Sequence, residues 1–216
     1  MMTTFKDRQD AGQHLAQALG GYRDTGALVL AIPRGGVEVG YEVARALNAE
    51  LSLIVTRKLP YPDNPESGFG AIAEDGSVFI YPDATAYLSH TMIQRIMDSQ
   101  EREIERRVAV LRDRKPLPQM AGRTVILVDD GIAMGSTMRA SIALCRNQNA
   151  GTIVVAVPVA GERAIREIRP LVDEMVVLET PRFFQAVAQV YDRWYDVSDT
   201  EVRAIMEKWS SEQQEQ

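Results

Sequence analysis

Short aliphatic runs recur along this chain, each followed by a turn rich in Gly or Pro and then by a stretch with helical spacing. Ala27 to Ile32, Leu51 to Thr56, Val125 to Val128, Thr152 to Val157 and Met175 to Leu178 carry β-branched and aliphatic residues without polar alternation. That is the pattern of strands covered on both faces. Between them, Asp7 to Leu19 sets Leu15, Ala16, Ala18 and Leu19 behind polar residues and stops at Gly20-Gly21, while Val37 to Leu47, Ser136 to Asn147 and Glu162 to Leu171 read as further helices. Asp83 to Arg114 repeats Leu88, Met92 and Ile96 at fourfold spacing, later joined by Ile104, Val108 and Leu111, and predicts one long helix with an apolar face. The alternation predicts an α/β fold on a parallel sheet. Two stretches break the pattern. Lys58 to Gly76 holds Pro60, Pro62, Pro65, Gly68, Gly70 and Gly76 and predicts an irregular binding loop or lid beside a short strand at Ser77 to Tyr81. Ser210 to Gln216 predicts a frayed polar tail.

At 216 residues the chain suits a single domain over 1–216 with elaborations at 58–82 and 179–209. Its net charge of −6 has the wrong sign for bulk attraction to nucleic acid. The segment Glu101 to Lys115, with six basic and four acidic residues, reads as a mixed, solvated helix face. Cys145 stands alone, so no internal disulfide forms, and buried packing explains it better than catalysis. His14 and His90 lie far apart, which gives no local support for a zinc cluster or a Ser-His-Asp arrangement. No run approaches the roughly 20 apolar residues needed to cross a bilayer, and the N-terminus lacks the apolar core of a secretion signal. A cytoplasmic location is the expectation.

The chemistry concentrates in Thr124 to Ser141, TVILVDDGIAMGSTMRAS. Asp129 and Asp130 stand at the carboxyl end of a buried strand, the edge of an open α/β sheet where ligands collect. Adjacent carboxylates repel, so the pair calls for partners such as sugar hydroxyls or a divalent metal. Gly131 and Gly135 permit torsions closed to other residues, and the N–H groups of Ala133, Met134, Gly135, Ser136 and Thr137 can form a nest around a phosphate at the helix start. The same residues admit a plainer reading as an acidic turn with Ser136 capping a helix.

This stretch resembles the phosphoribosyl pyrophosphate (PRPP) signature of type I phosphoribosyltransferases: apolar residues, two acids, a short Thr/Gly-rich loop and a helix. The resemblance implies a Rossmann-like three-layer parallel core with a small hood subdomain. It further implies that Asp129 and Asp130 hold the ribose hydroxyls, directly or through Mg²⁺-bound water, and that Ala133 to Thr137 hold the 5′-phosphate. Two positions depart from the family pattern. Met134 stands where the family often has Thr or Ser, and Ala133 where the 6-oxopurine enzymes place an acid that serves the purine ring.

By the same resemblance, Arg34, Gly35 and Gly36 after the first core strand correspond to the pyrophosphate loop, where Arg34 offers paired donors and the glycines let backbone approach closely. Arg57 and Lys58 resemble the basic residues that the family brings to the pyrophosphate; surface solvation is the alternative. Glu66, Ser67 and Glu74 fall in the loop that would close over the leaving group. Gly68 to Ala73 superficially matches a dinucleotide fingerprint but leads into Glu74-Asp75-Gly76 instead of a helix, which excludes that assignment. The segments Glu179 to Phe184 and Val190 to Asp199, with Gly70 to Ala73, resemble a bacterial subgroup of predicted phosphoribosyltransferases. Phe183, Phe184 or Tyr191 would suit base stacking or hydrophobic core. The expectation is transfer of a phosphoribosyl group from PRPP to a nitrogen acceptor, a nucleobase, with Mg²⁺ and possible homodimers. A PRPP- or nucleotide-sensing protein without turnover, and a metal-dependent phosphohydrolase, are the rival readings.

Overall fold

The structure is a computed structural model and describes residues 5–214. Its centre is a five-stranded parallel sheet of β1 (Leu28–Ala31), β2 (Glu50–Leu53), β6 (Thr124–Val128), β7 (Thr152–Val159) and β8 (Glu174–Glu179). The strands lie in the order β2-β1-β6-β7-β8. β1 pairs with β2 on one side, Leu28 opposite Glu50, and with β6 on the other, Leu28 opposite Val125. Leu28, Val29, Leu30 and Ala31 have no exposed surface because helices cover both faces. One face carries α1 (Arg8–Ala18), α2 (Gly36–Leu47) and α6 (Asp199–Gln214), whose Leu15, Val43 and Trp209 share a core with Val29 and Ile126. The other carries α4 (Ser136–Asn147) and α5 (Glu162–Ile168), packing Met138, Leu144 and Ile168 on Leu30 and Leu127.

The expected α/β architecture is therefore present, with three regions formed differently from the sequence reading. The stretch from Lys58 to Gly76 is not irregular. It belongs to a second, antiparallel sheet of β3 (Thr56–Tyr61), β4 (Asn64–Ala73) and β5 (Val78–Ile80). Pro60 sits where the β3–β4 register shifts, so its missing N–H breaks no regular ladder. At Gly70 a Cβ would stand 2.1 Å from the Phe79 carbonyl, so the glycine is what lets β5 pair there. This sheet closes a small core of Leu59, Phe69 and Ile72 with Ile104 of α3 (His90–Arg112).

The long helix begins at His90, not at Asp83. Asp83 has a left-handed backbone, φ 60°, and the Ser89 side chain accepts the Met92 N–H as N-cap. The tail is also ordered differently: α6 continues through Ser210 to Gln214, while positions 215 and 216 lie outside the described residues. A capping box starts α6, the Ser198 N–H donating to Glu201 and the Glu201 N–H to Ser198 Oγ. Trp209 then packs edge-on against Tyr41 at 5.9 Å.

Candidate active site

Strand order reverses between β1 and β6: the chain leaves β1 towards β2 and returns on the opposite side at β6. In open parallel sheets the loops diverge there and leave a crevice at the carboxyl ends of the strands. The loop after β1 brings Pro33 to Gly36 to this point, with a cis Pro33–Arg34 peptide, and the loop after β6 brings Asp129 to Gly135. The two loops touch. A Cβ on Gly35 would stand 1.8 Å from Asp130 Oδ2, and one on Gly36 would stand 3.0 Å from Asp129 Oδ1 and from the Val128 carbonyl. Only glycine allows this approach.

The carboxylates differ in their partners. Asp130 Oδ2 accepts the Arg8 Nε–H at 2.8 Å, and Asp129 Oδ1 accepts the Asp130 backbone N–H at 2.9 Å. Arg8 is 3 % exposed, with its guanidinium 3.9 Å from the Trp194 ring centroid and Nη1 donating to the Tyr195 carbonyl at 2.9 Å. Burial pushes both carboxyls above the usual Asp range; for Asp129 the neighbouring Asp130 charge adds to it, and for Asp130 the Arg8 guanidinium opposes it.

Beyond the pair, the chain turns into α4 through Gly135 with a left-handed backbone, φ 81°. Among the described residues, no hydrogen bond occupies the N–H groups of Ala133, Met134, Gly135, Ser136 or Thr137. Ala133 and Met134 are exposed and Ser136 is buried. Five unpaired donors at the start of a 12-residue helix make a place for an anion. Tyr81, the residue after β5, donates to the Met134 carbonyl at 2.7 Å.

The expected basic residues divide. Arg57 Nε donates to Gln100 of α3 at 3.1 Å, and its guanidinium pKa is lowered by burial and by Arg107, Arg34 and Arg106 around it. Arg57 and Arg34 thus share one electrostatic neighbourhood. Lys58 does not join them. Adjacent strand residues point to opposite faces, so Lys58 donates to the Glu66 carbonyl and lines a cavity of about 860 Å³ with Ser67, Arg139 and the loop residues Met134 and Ser136. Glu74 pairs with Arg112 and accepts the Val55 N–H at 2.9 Å, which ties the residue before β3 to α3. Tyr191 is 3 % exposed, lies between Phe5 and Trp194, and donates to the Asp130 carbonyl at 2.7 Å, so its ring has no free face for a base. Phe184 covers Gly161, whose Cβ would lie 3.2 Å from its ring, and Phe183 is 88 % exposed.

Arg8 has no local sequence signal, since its partners Asp130 and Tyr195 stand 122 and 187 positions away. Among the described residues no group of three or more His, Cys, Asp and Glu side chains is placed to hold a metal. Asp129 and Asp130 still fit Mg²⁺, which is commonly bound by one or two carboxylates together with substrate phosphate oxygens. Among the described residues no helix is long and apolar enough to cross a membrane.

These features fall within a recognised family: residues 3–192 match the model of the phosphoribosyl transferase domain, and the chain belongs to that family. Over 96 % of its length it is 38 % identical to a Mycobacterium tuberculosis protein named "Putative phosphoribosyl transferase Rv0571c". The chain spans 47 % of that relative's length. The crystal structure of TT1426 from Thermus thermophilus covers 97 % of this chain at 37 % identity with a TM-score of 0.80, and the chain covers 99 % of that structure.

Proposed function

We propose that this protein transfers the 5-phosphoribosyl group of PRPP to a ring nitrogen of a nucleobase and releases pyrophosphate. The observation that carries the reading is the meeting of two loops at one switch point: the paired carboxylates pack against Gly35 and Gly36 and lead directly into five amide donors that have no hydrogen-bond partner among the described residues. In this reading the N–H groups of Ala133 to Thr137, with the Ser136 and Thr137 hydroxyls, bind the 5′-phosphate. Asp129 and Asp130 accept hydrogen bonds from the ribose hydroxyls and hold the sugar as its ring becomes cationic. Arg34 and Arg57 receive the pyrophosphate. The C1–O bond breaks with its electron pair leaving on pyrophosphate, and the acceptor nitrogen forms the new bond to C1. Asp129 and Asp130 would hold Mg²⁺, which would supply countercharge to the leaving group. Positioning and charge do the catalytic work.

A second reading, a PRPP- or nucleotide-sensing protein with little turnover, draws on Ala133 and Met134, which leave the exposed part of the loop without an acid or a hydroxyl. Pyrophosphate release from PRPP with Mg²⁺ and a panel of purines, pyrimidines and related heterocycles separates the two. Turnover with one acceptor supports the transferase. PRPP binding without release in any member of the panel selects the sensor.

A further inference from the structure

Arg34 reaches beyond its own loop. Its Nη1 stands 3.7 Å from Asp199 Oδ1 at the start of α6, too far for a hydrogen bond, and that buried oxygen has no hydrogen-bond partner among the described residues. The other Asp199 oxygen accepts Arg106 Nη2 of α3 at 3.3 Å. On α3, Gln100, Glu103 and Arg107 follow one another at spacings of three and four and share a face. Glu103 accepts from Arg106 at 2.8 Å and from Arg107 at 3.0 Å, while Gln100 holds Arg57. Arg107 is mostly buried, its side chain 12 % exposed. The segment expected to be a solvated helix face therefore turns part of its charge inward.

Four guanidiniums from three separate elements converge here, and the carboxylates that touch them are Glu103 and Asp199. Glu201 feels Arg34 but is tied to Ser198 in solvent. Like charges gathered in a chain of net charge −6 repel unless an anion completes the set. The loose Arg34–Asp199 contact leaves Arg34 free to turn onto such an anion, and Arg34 directly precedes the glycines that pack on the acid pair.

We propose that Arg106 and Arg107 join Arg34 and Arg57 in one clamp for the pyrophosphate group, with Asp199 occupying Arg106 and lying beside Arg34 until the anion arrives. The proposal rests on the transferase reading above and adds α3 and the start of α6 to its leaving-group site. A diphosphate suits the span from loop to helix better than a single phosphate, because it presents two linked phosphoryl groups to arginines on different elements.

Calorimetric titration of the full chain with magnesium pyrophosphate, inorganic phosphate and PRPP tests the clamp. Arg106→Ala and Arg107→Ala are each expected to weaken magnesium pyrophosphate binding about tenfold, the scale of one charged hydrogen bond. Arg107→Lys should recover part of the loss, and inorganic phosphate should bind far more weakly than pyrophosphate. Asp199→Asn, which removes a competitor for Arg34 and Arg106, should tighten binding; weaker binding there contradicts the latch. Should Arg107→Ala fail to fold, Arg106→Ala decides alone, since its side chain is half exposed. If wild type binds PRPP and pyrophosphate but both alanine variants keep wild-type affinity, the clamp is wrong and the transferase reading stands. If wild type binds neither, that reading falls and takes the clamp with it.

Discussion

Arg8, in the first turn of α1, donates its Nε–H to Asp130 at 2.8 Å, and in doing so makes the two adjacent carboxylates of the site unequal. Asp130 has a buried guanidinium beside it. Asp129 has a backbone amide and its neighbour's charge. The Trp194 ring and the Tyr195 carbonyl hold Arg8 from the other side, so the C-terminal segment after β8 sets the electrostatics of a pair formed at the end of β6.

Replacing Arg8 with Met keeps some apolar packing on Trp194 but leaves Asp130 without its cation. Breaking a buried ion pair by removing one partner costs about 3 to 5 kcal/mol. Urea unfolding of Arg8→Met at neutral pH should show a loss on that scale. The loss should shrink in acid, where Asp130 is protonated and needs no cation. A variant as stable as wild type at neutral pH would remove Arg8 from this role.

Gly35→Ala places a methyl group where Asp130 Oδ2 and Arg8 Nε now lie, at 1.8 and 2.8 Å from the new carbon. The loop or the carboxylate must move. Overpacking of this kind costs about 1 to 3 kcal/mol, and the displaced carboxylate should lower PRPP affinity well beyond the stability loss. Gly20→Ala, where nothing lies within 4 Å, serves as the control and should bind as wild type. Equal PRPP affinity in both variants would contradict contact between the two loops.

The raised Asp129 pKa fixes the sign of a pH effect. The folded protein keeps a proton on Asp129 at pH values where the unfolded chain, with an Asp pKa of about 3.9, has lost it. Stability from this group is therefore present in acid and is lost as pH rises through the folded value. Asp129→Asn abolishes that loss. Denaturation midpoints measured across this range should fall less steeply with rising pH in the variant, which should be the more stable protein above the window. A steeper fall in the variant would reverse the assignment.

The parallel core was legible because β1, β6 and β7 are runs of apolar residues that only a doubly covered strand accommodates. The acid pair and the loop into α4 were legible as a candidate site for a related reason: their residues are contiguous in sequence. Residues 58–76 were not, since Pro and Gly usually mark loops, and here they sit at a register shift and at the close β4–β5 contact. α6 carried a readable sign in Ser198 and Glu201, masked by the polar composition after Trp209. Arg8 and Arg106 reach partners on distant elements, Asp130 and Asp199, while Arg107 pairs with Glu103 of its own helix and turns inward with it. Nothing in their own neighbourhoods distinguishes them from surface arginines. Adjacency in sequence groups Lys58 with Arg57, and strand alternation separates them.

PRPP binding by Asp129, Asp130 and the amides of Ala133 to Thr137 is what the proposed function depends on most. Equilibrium PRPP binding with Mg²⁺, compared between wild type and Asp129→Asn/Asp130→Asn, tests it most directly, with circular dichroism confirming that both are folded. Wild type is expected to bind measurably and the double variant to lose affinity by about 100-fold or more, the scale of two charged hydrogen-bonding groups removed. Undiminished binding by the folded double variant, or no binding by wild type, would contradict it.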